Sequence, residues 1–598
     1  FMITIMLTSF GVHQPDDMDI FFYYNAGNEI LHGDGSNVFI ANAGIGWPVT
    51  LAFFTDYVGD VFTTAKSIAL ISSVLIIFIT FFLLKNILGS TSSALIGQAF
   101  LAINPFIQLD AIITNNELLP LLFIFLSAYI LSKKDSTKKY VLIGLFLGIS
   151  FWFRYQSLLI LFGIIIYFLL SNQIIRVTAK KTIITSLVFL LIISPMLLYN
   201  YSEQGVFIDI DPSLYLNVYG SESDKEMWGD SFVEKVSSDT RKNSWIEKIV
   251  FNEQYVNNLF KINPHTIFNL NSGINNFSPI PIIQFSGIPI FLLASLYLFN
   301  LRRTRFEFIL PVSVFVISAS ILIFYNKIED YYFALFILPV ISLGLISIRR
   351  IESRILPFLI IPVVFYMGLS LVPIYDPLNM FAVLISLPLL TVIFCMRFIP
   401  FLVKKIKIQP IIKKSNFIIF VFILIIIISN VGFSYKLESM VMYKDYEIGS
   451  INDEIQKFFD RKESQINDDM KQISLLLSTE PNISEKYIMS NTYSLAHRTE
   501  SKNVYANFVE DVNSKSVEQF LLRDSWSAFD VNYSNHYSVP PDRKDLNHPI
   551  PDYLVYIHRN YVEVPWIIKE LNENPEKFEK IYQSKQTESV AFKIKDMN

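Results

Sequence analysis

The sequence predicts a polytopic α-helical membrane protein of about thirteen transmembrane helices, followed by a C-terminal α/β domain outside the bilayer. Three observations predict it. The chain is 52% hydrophobic and 15% aromatic against 17% charged, with a mean hydropathy of +0.42, more apolar surface than a soluble protein of this size needs. Apolar stretches of roughly 14 to 20 residues recur from the first residue to about Val431, close to the ~20 that cross the hydrocarbon layer as a helix. After Ser434 the composition turns charged and mixed for about 160 residues, enough for one compact domain. The expected division is therefore a membrane part over 1–434 and an α/β domain over 435–598.

The candidate spans are Ile68 to Leu84, Ala94 to Leu109, Leu118 to Leu131, Tyr140 to Phe153, Ser157 to Leu170, Thr182 to Leu198, Ile282 to Phe299, Phe308 to Phe324, Tyr332 to Ile348, Leu356 to Val372, Phe381 to Met396 and Phe417 to Val431. The apolar start, Phe1 to Phe10, is read as the end of one more helix. Because the chain opens on Phe1 and ten residues cannot span a bilayer, the expectation is that N-terminal sequence precedes it. Lys and Arg collect at Lys85, Lys133 to Lys139, Arg176 to Lys181, Arg302 to Arg305, Arg349 to Arg354 and Arg397 to Lys414, at every second connection. Short cytoplasmic loops are enriched in these residues. The loops at about 11–66 and 200–280, the turns near Glu117, Arg154 and Tyr331, and everything after Ser434 then fall on the other, non-cytoplasmic side.

In the last segment, Glu447 to Phe459 and Gln465 to Leu477 have helical apolar spacing, while Tyr487 to Ser490, Tyr553 to Ile557 and Ser589 to Ile594 read as strands. No nucleophile elbow, phosphate loop, CxxC pair or HExxH occurs in the sequence. A net charge of -4 with no basic stripe excludes the usual nucleic-acid partners. The single cysteine, Cys395, lies in an apolar run and makes no disulfide framework.

Asp16, Asp17 and Asp19 gather just before Ile20, Phe21, Phe22, Tyr23 and Tyr24, where an apolar segment leaves the membrane and like charges are costly. From Asp19 the order runs Tyr23, Ala26, Gly33, then Gly46, Trp47 and Pro48. This order resembles the first external loop of the GT-C glycosyltransferases that use polyprenyl-phosphate sugars, in particular the protein mannosyltransferase and aminoarabinose transferase relatives of family 39. Asn104, Pro105 and Thr114 to Glu117 resemble that family's second external turn. Gly144, Gly148 and Phe151 to Tyr155 resemble its Gly-rich helix ending in an Arg-aromatic step, with Arg154 in the Arg position. Pro551 to Ile557, Pro565 to Leu571, Phe578 to Tyr582 and Ser589 to Lys595 follow the strand, helix, strand, strand order of its external domain. The sequence departs from the family where Asp330 stands for an Arg before Tyr331, leaving Lys327 as the substitute, and it lacks the WWDYG signature of oligosaccharyltransferases.

The resemblance implies a GT-C-like fold and transfer of a sugar from a polyprenyl (dolichyl) phosphate donor to a protein, lipid or glycan acceptor. An inverting transfer of that kind needs a carboxylate to take the acceptor's proton and a cation for the leaving phosphate. Asp19 or Asp17 can supply the base, with Asp16 as a third candidate. Arg154 suits the phosphate, because a guanidinium binds its oxygens bidentately and keeps its charge near hydrocarbon. Glu117 could accept from the acceptor, orient a basic group or help hold a divalent metal ion; Lys327, Tyr23 and Trp47 complete the substrate-binding candidates. Structural readings stand beside each: helix caps for the aspartates and Glu117, snorkelling for Arg154, an ion-paired turn for Lys327 with Glu329 and Asp330, interfacial anchoring for Trp47 and the tyrosines, and a metal site completed by His13 and His32. A transporter or lipid-sugar flippase, and an inactive membrane scaffold, remain alternative functions on composition.

Overall fold

A computed structural model of the chain describes residues 18–32, 44–102, 107, 111, 117–171, 175–204, 207, 356–369, 465–492, 495, 499, 501–505, 516–521, 527–529, 550–558, 565–585 and 587–595. Its first part is helical: α1 Met18–His32, α2 Gly46–Val58, α3 Val61–Leu88, α4 Thr91–Ala102, α5 Leu118–Leu131, α6 Thr137–Phe153, α7 Ser157–Leu170, α8 Ile175–Gln204 and α9 Leu356–Leu369. The expected spans at 282–299, 308–324, 332–348, 381–396 and 417–431, most of the loop at 200–280, and the helix at 447–459 lie outside the described residues.

The segment 11–66, expected as an external loop, instead holds α1, α2 and the first turns of α3. At 15 and 13 residues, α1 and α2 fall short of the ~20 of a straight span, so apolar run length passes over them. What fixes them is packing: Ala26 is fully buried, and a Cβ on Gly27 would collide with the carbonyl of Pro48 on α2. The turn into α3 is equally specific. Gly59 takes φ +82°, the left-handed region open to glycine, and donates its N–H to Thr55 O at 2.7 Å; Asp60 Oδ2 then accepts from Thr63 N at 2.7 Å, capping α3.

Helix α6 packs between α5 and α8, α3 packs on α4 and α5, and α7 packs on α9. Gly144 and Gly148 allow the approach of α6 to α8, because a Cβ at either would press on Thr185 O at 2.5 Å or Ile192 Cβ at 2.7 Å; small residues serve helix pairs in membranes in this way. Val61–Leu88 and Ile175–Ser202 are long and apolar enough to cross a bilayer. Each also turns an apolar stripe outward, Ile71, Val74, Leu75 and Phe78 on α3 and Ile183, Leu187, Leu190 and Leu191 on α8.

The last part is an α/β unit. It comprises α10 Gln465–Ser478, β1 Tyr487–Ser490, β2 Lys502–Tyr505, α11 Val517–Leu521, β3 Ser527–Phe529, β4 Tyr553–Tyr556, α12 Trp566–Glu573, β5 Phe578–Gln583 and β6 Val590–Ile594. The strands form one sheet in the order β3-β2-β1-β4-β6-β5, parallel at β1 with β2 and β4 and antiparallel elsewhere. Apolar residues fill both faces: Met489, Leu554 and Phe592 pack with α11 and α12, and Ile488, Val555 and Ala591 pack with α10.

Candidate functional site

Helix α6 stops because Arg154 leaves helical geometry, with φ -146° and ψ 122°. Its N–H still donates to Ser150 O at 3.0 Å, and its carbonyl accepts from Ser157 Oγ at 3.0 Å, so the break before α7 is bridged on both sides. The extended backbone sends the guanidinium to the start of α5, where Arg154 Nη2 forms an ion pair with Glu117 Oε1. The two side chains are only 15% and 5% exposed. Glu117 precedes α5 in helical geometry and its side chain makes no capping bond; its carboxylate meets the Arg154 guanidinium instead. Arg154 correspondingly turns inward to a carboxylate and does not reach for headgroups.

A cavity of ≈ 20 Å³ adjoins the pair, lined by Pro120, Ser150, Gln156, Ser157 and Phe365, with room for about one water. Ser150 Oγ donates to Pro120 O at 3.0 Å, tying α6 to α5 beside it. Phe365, on α9, lines the cavity from a segment far along the chain. Sequence reasoning did not find these lining residues. The serines stand four before and three after Arg154, one in the last turns of α6 and one at the start of α7, a signal visible once Arg154 is chosen; Phe365 has none.

The other predicted residues divide. Ile20, Trp47, Leu51, Val61, Phe62 and Phe153 form one apolar cluster, with Tyr23, Leu119 and Trp152 packed against it. Gly44 donates to Phe153 O at 3.3 Å. The first turn of α1, where Asp19 sits in the backbone, thus lies at the bundle end that carries Glu117 and Arg154. Trp47 is 1% exposed, an interior position, unlike that of an interfacial anchor, and its indole N–H has no partner among the described residues. His32 pairs with Asp56 on α2, Nε2 to Oδ2 at 3.1 Å. Among the described residues no group of three or more His, Cys, Asp or Glu could hold a metal ion. His13, Asp16, Asp17 and Lys327 lie outside the described residues, as does the side chain of Asp19.

The opposite end of the bundle collects the basic residues. Asn86 Nδ2 donates to Ser132 Oγ at 3.1 Å, and Asp135 joins Lys139 on α6 to Lys181 on α8. The Lys and Arg clusters at 85, 133–139 and 176–181 therefore share one end, as their alternation in sequence predicts.

Residues 44–199 match the model of the family described as dolichyl-phosphate-mannose-protein mannosyltransferase; the match includes Trp47, Glu117 and Arg154 and leaves out Asp19. No curated protein matches the chain in sequence. Among solved structures, ArnT from Cupriavidus metallidurans bound to undecaprenyl phosphate aligns at 9% identity over 99% of this chain and 96% of its own, with a TM-score of 0.51. The apo state of ArnT from the same organism aligns over the same shares at 10% identity and a TM-score of 0.44. At such identity the likeness to the first is one of fold. In sequence over one segment, and in fold along its length, the chain resembles the GT-C superfamily, in its protein mannosyltransferase and aminoarabinose transferase branch.

Proposed function

We propose that the chain is a multi-pass membrane glycosyltransferase that moves a sugar from a polyprenyl-phosphate donor to an acceptor hydroxyl or amine on a protein, lipid or glycan. The buried Arg154–Glu117 pair, at the bundle end where α1 begins, carries this reading; the family match and the ArnT-like fold support it. In it the basic end faces the cytoplasm, while the pair and residues 435–598 face the other side. The sugar is a hexose, mannose being the one named for the matching family.

The chemistry follows from the charges. A carboxylate of the first acidic run, Asp19 before Asp17 and Asp16, takes the acceptor's proton as the acceptor oxygen or nitrogen attacks the anomeric carbon from the face opposite the phosphate. The anomeric C–O bond breaks, its electron pair leaves with the polyprenyl phosphate, and the sugar configuration inverts. Arg154 receives the charge that develops on the leaving phosphate. Glu117 positions the guanidinium beforehand, and a phosphate, which accepts from that fork in the same geometry as a carboxylate, shares or takes over its place. Lys327 and Tyr23 remain further candidates for the substrate.

The test is release of polyprenyl phosphate from a sugar-labelled donor by the purified chain in detergent. Wild type releases it; Asp19→Asn and Arg154→Ala lose release by about 10²-fold or more. Wild-type turnover in both Asp19→Asn and Asp17→Asn would remove the base assignment, and wild-type turnover in Arg154→Ala would remove the phosphate role.

A further inference from the structure

The basic end of the bundle has a composition that the transfer reaction does not use. Lys139 and Lys181 are 7% and 8% exposed and share one carboxylate: Lys139 Nζ lies 3.1 Å from Asp135 Oδ1, and Lys181 Nζ lies 2.6 Å from Asp135 Oδ2. Lys139 also donates to Lys133 O at 2.8 Å. The two ammoniums flank the Tyr140 ring at 5.8 and 5.3 Å from its centre. One carboxylate balances one of two largely buried cations, and a buried charge without a counter-charge is costly. Around them Lys133, Lys134, Lys138, Arg176 and Lys180 are exposed, and Asp135 is the single acid between Leu118 and Ser202. Exposed apolar side chains stand among and beyond these cations on α8, where Ile175 and Val177 flank Arg176 and Ile183 follows Lys181. Clustered cations beside an outward apolar surface match a molecule with an anionic head and acyl tails.

We propose that this end, formed by the 132–136 loop and the starts of α6 and α8, binds the phosphate headgroup of an anionic phospholipid, whose negative charge completes the Lys139–Asp135–Lys181 set. The proposal rests on the reading that the chain spans a membrane. Basic pockets between helices on the cytoplasmic side attract such headgroups, and the exposed apolar side chains favour a lipid over free phosphate.

The test uses the full chain purified in neutral detergent and titrated with phosphatidylglycerol, phosphatidylcholine or inorganic phosphate, with bound lipid counted by native mass spectrometry and thermal unfolding followed in parallel. The expected result is binding of phosphatidylglycerol about tenfold tighter than phosphatidylcholine, reduced to the phosphatidylcholine level in Lys133→Gln/Lys134→Gln/Lys138→Gln/Lys180→Gln, whose changes are all at exposed positions. Asp135→Asn, which removes the competing carboxylate, should unfold at lower temperature without lipid and be restored by phosphatidylglycerol. Equal binding of both lipids, equal binding by the fourfold variant, or equal stabilisation by inorganic phosphate would overturn the proposal. Alkaline extraction of membranes separates this from failure of the spanning reading: release of the chain into solution overturns the latter, whereas a retained chain without lipid preference overturns the lipid site alone.

Discussion

The two ends of the helical bundle each tie distant helices together with one carboxylate, in opposite ways. At one end Glu117 meets a single guanidinium, both side chains lie out of water, and a small cavity adjoins them. At the other, Asp135 has 54% of its side chain exposed and is shared by two ammoniums. The first arrangement holds one cation in a set direction, as a phosphate in a reaction requires. The second leaves excess positive charge at a surface, which suits sidedness and lipid contact but not directed chemistry. Having one carboxylate at each end thus says little; exposure and the number of cations it meets separate the two.

The comparison breaks most readily at the first end. Glu117→Ala leaves a largely buried guanidinium without its carboxylate and should cost about 3–5 kcal/mol of stability, read by thermal unfolding in detergent. Changing both partners, Glu117→Gln with Arg154→Met, should recover most of that stability while leaving donor cleavage absent; recovered cleavage would mean that the pair is structural only. At the junction between the ends, Gly148→Val forces a side chain against Ile192 and should cost about 1–3 kcal/mol by overpacking, whereas a substitution at Gly89, where nothing lies near an added Cβ, should act through its positive φ alone. At the second end Asp135→Asn leaves two largely buried ammoniums without their shared carboxylate and should cost about 1–2 kcal/mol, less than Glu117→Ala because water screens the half-exposed carboxylate.

The smallest effect is one of pH. Burial raises the Asp135 carboxyl, but hydrogen bonds from Lys181 and Lys139 outweigh it and hold the group at about 2, below its ordinary 3.8. A lowered carboxylate contributes stability above its unfolded value and loses it as the pH falls through the folded one. Acid titration should therefore leave the contact of α6 with α8 intact down to about pH 4 and loosen it from there toward pH 2, a drift absent in Asp135→Asn. A transition centred near neutral pH would contradict the assignment.

How much of this was legible in the sequence depended on whether a signal was local. Helices α5 and α7 begin and end where the apolar runs Leu118 to Leu131 and Ser157 to Leu170 do, because run length alone specifies a buried or lipid-facing helix. Helices α1 and α2 read as loop in the sequence because they are short and rich in aromatic and small residues, and the place where they meet, Gly27 against Pro48, is invisible in either segment alone. In the α/β unit, β1, β4 and β6 carry apolar runs, but β2 and β3, with sequences KNVY and SAF, are defined by pairing with neighbours. Glu117 and Arg154 were each visible as a charge at an apolar boundary. Their union needs the packing of α5 on α6, and Phe365 beside them needs that of α9 on α7.

That last contact has a consequence in time. Gly163 on α7 accepts Ile361, and Gly368 on α9 sits against Leu159, so the two helices fit by close approach. The ribosome makes α9 roughly 200 residues after α7, an interval on the order of 10–40 s at ordinary elongation rates. Through that interval the glycine-notched face of α7 lacks its partner helix, and the wall of the cavity that Phe365 supplies does not yet exist. A nascent chain halted before Leu356 would carry both members of the Arg154–Glu117 pair and still lack one wall of the cavity beside it, so the cavity is complete only when a much later stretch of the message has been read.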